Sequence, residues 1–62
     1  MSTLTPAQRY ALDAAGWVLL DLEAITDEQH ATLRAISEAG RYSDADAHLV
    51  RMALESYADA HA

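Results

Sequence analysis

Apolar positions along the 62 residues fall into three stretches with helical spacing and one short unbroken run. The first stretch opens at Thr5-Pro6-Ala7-Gln8. There the Thr5 hydroxyl can accept the Gln8 backbone N–H while the Gln8 amide reaches back, and Pro6 occupies the first helical position, where a missing donor costs nothing. A helix over Pro6 to Ala15 is predicted, with Gly16 placed to end it in a left-handed conformation. Thr26-Asp27-Glu28-Gln29 repeats the same box and opens a second helix, which Gly40 closes after Ala39. A third begins at Ser43-Asp44-Ala45-Asp46, whose first-turn carboxylates suit the positive end of the helix dipole, and no Gly or Pro interrupts it before Ala62.

Between the first two helices lies Trp17-Val18-Leu19-Leu20-Asp21-Leu22. As a strand this run puts Val18, Leu20 and Leu22 on one face and Trp17, Leu19 and Asp21 on the other; as a helix it would prolong the first one through Gly16. Its length and the flanking glycine favour a strand. The expected fold is therefore mainly α, a small three-helix domain with one short β-strand between helices 1 and 2, in α-β-α-α order over residues 1–62. A lone strand leaves backbone donors and acceptors without partners, so the run is expected to pair with a second copy or with another protein.

The third helix shows two apolar stripes. Ala45, Leu49, Met52, Ala53, Tyr57 and Ala60 form one, and Val50, Leu54, Tyr57 and Ala58 form its neighbour. Two short helices cannot readily cover both. The first stripe is expected to meet Trp17, Leu33 and Ile36 in the core, and the second is expected to meet a partner. The candidate partner-binding residues are Trp17, Leu20, Leu22, Val50, Met52, Leu54 and Tyr57, with Met52 and Tyr57 as adaptable and aromatic anchors.

Composition narrows this picture. The hydrophobic fraction, 52%, lies well above that of disordered chains, yet fourteen of those residues are alanines, which favour helix while burying little area. A chain this short hides only about 60% of the surface its unfolded form exposes, so a partner that extends the core is expected. Lys, Asn and Phe are absent while Ala, Asp and Arg abound, the bias of a GC-rich bacterial or phage coding sequence. The N-terminus has neither a basic region nor an apolar core, and no apolar run could span a bilayer, so a cytoplasmic location without a membrane partner is expected.

Ten acidic against four basic side chains leave a net charge of −6, which disfavours binding to nucleic acid, because phosphate affinity comes from Lys and Arg displacing counterions. No cysteine is present, which excludes disulfides, zinc knuckles and thiol nucleophiles. Asp44 and His48 share one turn, but two ligands do not close a metal site. Ser37, Ser43 and Ser56 occupy helical or capping positions, and a carboxylate pair would need a cleft that so short a chain can hardly enclose. No catalytic residue, metal or cofactor is expected.

Two resemblances bear on function. The order strand, helix, turn, helix from Trp17 to Ala60 resembles ribbon-helix-helix dimers, whose paired strands read DNA; that would imply a transcription or antitoxin regulator. The chain departs from the family's pattern at the outward positions Trp17, Leu19 and Asp21, where that ribbon carries basic or amide side chains. Leu4-Thr5-Pro6-Ala7-Gln8 and Gly16-Trp17-Val18 are similar to the opening helix and strand of phytanoyl-CoA dioxygenase-like enzymes, but the jelly roll and the iron-binding His-x-Asp those enzymes need are missing, so no residue role carries over. The expected function is a small non-enzymatic interaction module, an accessory or phage-encoded factor, docking on a larger protein or on its own copy as a homodimer. The alternatives are the ribbon-helix-helix regulator and an acidic DNA-mimic inhibitor displaying Asp13, Asp21, Glu23, Asp27 and Glu28.

Overall fold

The computed structural model describes all residues from 1 to 62. Both threonine capping boxes form as the local chemistry requires. Thr5 Oγ1 accepts the Gln8 N–H at 3.1 Å, Gln8 Oε1 accepts the Thr5 N–H at 2.9 Å, and the pair opens α1 (Pro6–Asp21). Thr26 and Gln29 make the same two bonds at 3.1 and 2.9 Å and open α2 (Asp27–Ala39). Gly40 ends α2 at φ +74°, donating its N–H to the Ile36 carbonyl at 2.8 Å. Ser43 begins a single 3₁₀ turn, Asp44–Asp46, which leads into α3 (Ala47–Ala60).

The expected strand at Trp17–Leu22 is not there. α1 passes through Gly16 and continues to Asp21, so the domain is three-helical without a strand between its first two helices. Gly16 has another task. A Cβ at that position would lie 3.3 Å from His30 Cδ2 and 3.7 Å from Leu33 Cδ1, so the missing side chain lets α1 and α2 approach closely. Continuation also aligns Leu12, Ala15 and Leu19 on one helix face, all of them buried. Alternation would have hidden Val18 and Leu22 with Leu20; the helix exposes the first two and hides Leu19.

α1 instead stops at a left-handed residue that is not glycine. Glu23 has φ +59°, which turns the chain so that the Ala24 N–H donates to the Leu19 carbonyl at 2.9 Å and the Glu23 N–H to the Leu20 carbonyl at 3.0 Å. These two bonds are the Schellman pattern, which satisfies the last carbonyls of the helix.

The only strands are two residues long. β1 (Ser2–Thr3) and β2 (Arg41–Tyr42) pair antiparallel with Ser2 opposite Tyr42 and Thr3 opposite Arg41, and the Leu4 N–H extends the pairing to the Gly40 carbonyl at 2.8 Å. The two strands therefore pair with each other, and no lone strand is left at residues 17–22 to pair with a second copy.

The core lies where the three helices meet. Leu12, Leu33 and Val50, one from each, are fully buried, and Leu4 and Ile25 close the ends. α1 packs against both α2 and α3, which hardly touch each other. Arg9 strengthens the α1–α2 side by donating from Nε to the Ser37 carbonyl at 2.8 Å and from Nη2 to the Glu38 carbonyl at 2.7 Å, while the Ser37 hydroxyl donates to the Arg9 carbonyl at 2.9 Å. A cation at the C-terminal end of α2 also complements its dipole.

Candidate interaction surface

With α2 and α3 on its inner sides, α1 leaves its outer face to solvent. Tyr10, Asp13, Ala14, Trp17, Val18 and Asp21 follow one another at i, i+3, i+4, i+7, i+8 and i+11, the spacing of a single helical face. Apart from Met1, the exposed large apolar side chains all belong to α1 and its cap: Tyr10 at 69% exposure, Trp17 at 51%, Val18 at 53% and Leu22 at 69%. Scattered single residues of this kind are ordinary on a protein surface, but a contiguous row is not.

Trp17 is half exposed and packs one side of its ring on α2. Its ring meets the buried His30 ring at a centroid distance of 4.4 Å and an interplanar angle of 63°, and the Arg34 guanidinium carbon lies 5.4 Å from the indole centroid. His30 is held between this indole and Gly16, with Nε2 buried and free of any hydrogen-bond partner.

Val18 joins two depressions. On one side, Tyr10, Ala14 and Val18 of α1 face Tyr57 and Ala60 of α3 across a narrow, mostly apolar groove that His61 closes. The tyrosine rings meet edge to face at 6.4 Å; His61 stacks on Tyr57 at 4.0 Å and donates from Nδ1 to the Tyr57 carbonyl at 2.9 Å. On the other side, Trp17, Val18 and Leu20 form a wider hollow with Asp21 and Glu23.

The candidate residues divide between two places. Trp17 and Leu22 stand exposed on and beyond α1, and Tyr57 borders the same surface from α3. Leu20 is half-buried against the core. Val50, at 1% exposure, is a core residue that reaches outward only at the floor of a groove it shares with Tyr42 and Leu54, because the inward direction of α3 runs between the two stripes through Val50 and Ala53. Met52 and Leu54 are half-buried on the core, and Leu54 lines a separate groove of 310 Å³ beside Tyr42, Arg51 and Glu55. Sequence reasoning missed Tyr10 and Val18 as surface residues. The i, i+4 row Tyr10, Ala14, Val18, Leu22 was the available signal, and it exists only when the helix runs through Gly16.

The surface is acidic at one end and of mixed charge along the other margin. Asp21 and Glu23 border it beside the Trp17 hollow, while on the α2 side Arg34 lies over Trp17 and shares a shallow depression with Arg9, Tyr10 and Asp13. The helical conformation of residues 17–21 also removes the strand from which a ribbon-helix-helix reader would be built. No group of three or more His, Cys, Asp or Glu side chains stands close enough to hold a metal ion, and Asp44 and His48 both point to solvent. No helix is long and apolar enough to cross a membrane. Compared with protein-family models, curated proteins and solved structures, the chain matches none.

Proposed function

We propose that this chain is a small non-enzymatic interaction module that docks on a larger protein through the outer face of α1. One observation carries the reading: Tyr10, Trp17, Val18 and Leu22 are exposed together along one helix and the turn that ends it, although none is needed to complete the core. Folding alone gives no reason to keep large apolar side chains in water, whereas a partner that covers them gains their burial. The GC-rich composition suits an accessory or phage-encoded factor acting in a bacterial cytoplasm.

The test compares affinity capture by the wild-type chain with capture by a Val18→Asp/Leu22→Asp variant, after circular dichroism has established that the variant remains helical. Species retained by the wild type and lost from the variant are the expected result. Equal capture by the two chains, or none by either, overturns the reading.

A further inference from the structure

α2 and α3 barely touch, which leaves one flank of α3 open beside β2. Ala47, Val50, Leu54 and Ala58 form the apolar lining of the 310 Å³ groove there, with Tyr42 beside them and Arg51 and Glu55 exposed at its rim. The six helical positions follow at i, i+3, i+4, i+7, i+8 and i+11, a single row about 17 Å long. It shares no residue with the depressions along the outer face of α1.

Two features of this row decide what fits it. Alanines stand at both ends, so a second helix can approach closely. Arg51 and Glu55 carry opposite charges one turn apart, in the order that interacts more weakly within a helix, and neither takes a side-chain partner in the chain. We propose that two copies of the chain meet here, with their α3 helices antiparallel about a two-fold axis at the level of Ala53. That axis sets Arg51 of each copy opposite Glu55 of the other, so a single row supplies both halves of two reciprocal ion pairs. Leu54 of each copy enters the groove of the other. The chain carries a net charge of −6, yet the charges on this rim cancel, which makes it a surface that does not repel its own copy. A contact of one short helix row belongs with the weak, reversible dimers.

Sedimentation equilibrium from about 10 µM to about 1 mM reads such an association through the average mass, after circular dichroism has established that each variant remains helical. The wild-type chain is expected to pass reversibly from monomer to dimer. Arg51→Glu and Glu55→Arg each bring like charges face to face and should each weaken the dimer about tenfold at low ionic strength. Mixing these two variants should restore it, because each then offers what the other lacks; the exchange Arg51→Glu/Glu55→Arg in one chain should restore it as well. Glu55→Arg also makes the chain less negative, so attraction governed by net charge alone would tighten the dimer where the facing rows weaken it. Ala58→Gln, at an exposed position outside the core, should weaken association through bulk without altering the fold.

A wild-type chain that stays monomeric throughout overturns the proposal, as does a dimer indifferent to both charge variants. Single variants whose losses neither mixing nor the exchange repairs overturn the antiparallel pairing. A dimer that survives Ala58→Gln but is lost from the Val18→Asp/Leu22→Asp variant moves the contact to α1 and overturns it equally. None of these results bears on capture of a larger protein by the outer face of α1, which is read separately.

Discussion

The same substitution at the chain's two glycines should have opposite consequences. Gly16 lies inside α1, where replacing Gly by Ala stabilises a helix by about 1 kcal/mol. Against this, the new Cβ would sit 3.3 Å from His30 Cδ2, so the imidazole must retreat by a few tenths of an ångström. It has somewhere to go, because its far side rests on Trp17, whose ring is half in solvent. Overpacking a rigid core costs about 1–3 kcal/mol, and a neighbour with an open side should cost less, about 0.5 kcal/mol. Gly16→Ala is therefore expected to stabilise by about 0.5 kcal/mol, raising Tm by about 2–4 °C in a domain of this size. Gly40 stands at φ +74°, where an L side chain costs about 1–2 kcal/mol, part of it returned as lower unfolded-state entropy, while its Cβ would merely touch the Arg9 side chain at 3.4 Å. Gly40→Ala should lower Tm by about 4–12 °C, the equivalent of about 1–1.5 kcal/mol. Thermal and urea unfolding followed by far-ultraviolet circular dichroism measure both. A loss of about 1 kcal/mol or more for Gly16→Ala would contradict the close-approach role with a yielding neighbour. If that loss persists in a His30→Ala background, where the imidazole is gone, then Gly16 is not helical and the continuous α1 is refuted.

Other substitutions test other joints. Glu23→Gly should stabilise by about 0.5–1 kcal/mol, since it relieves a left-handed strain of about 1–2 kcal/mol and gives part of that back as unfolded-state entropy; an unchanged urea midpoint counts against the φ +59° turn. Arg9→Ala removes two charge-assisted bonds to the α2 carbonyls and is expected to cost about 1–2 kcal/mol, with Arg9→Lys restoring only part, because an ammonium cannot span both acceptors; full rescue by Lys would show that charge alone matters. Val50→Ala should cost about 2 kcal/mol by emptying a fully buried position, whereas Leu22→Asp should change stability by less than about 0.5 kcal/mol. Equal losses at these two sites in chemical denaturation would mean that the inward direction of α3 or the exposure of the α1 cap is misplaced.

What could be read from the chain in advance was whatever its chemistry settles within four residues. The boxes at Thr5/Gln8 and Thr26/Gln29 and the left-handed Gly40 all formed where their local bonding required. Gly16 could not be read this way, because a glycine that ends a helix and a glycine that admits a neighbouring helix look the same until His30 and Leu33 are placed against it. The six-residue apolar run after it carries no period long enough to distinguish strand from helix. A helix that stops at Ala15 splits the row Tyr10, Ala14, Val18, Leu22 into two unrelated pieces, so the spacing points to Trp17 and Leu22 but not to Tyr10 and Val18. Val50 is hidden for a related reason: spacing separates two adjacent stripes on α3, but the position of α1 decides which direction between them is inward. Nothing local announces that Arg9 would cap a helix from which it is distant in sequence.

The arrangement of contacts gives the outer face of α1 a reach beyond its own helix. α2 and α3 are each tied to α1 and barely to one another, so the stability of the small core rests on two helix pairs that share one member. Trp17 is gripped from α2 by His30 and Arg34, and the groove beside Tyr10 is completed from α3 by Tyr57. A partner laid along α1 would therefore touch all three helices while contacting mainly one, bracing both pairs at once. Such a ligand present at a hundred times its Kd would add about 2.7 kcal/mol to the stability of the folded state. Native domains hold only about 5–15 kcal/mol in total, and one that buries so little has least to spare, so occupancy of this face would change its persistence about as much as the loss of a fully buried side chain.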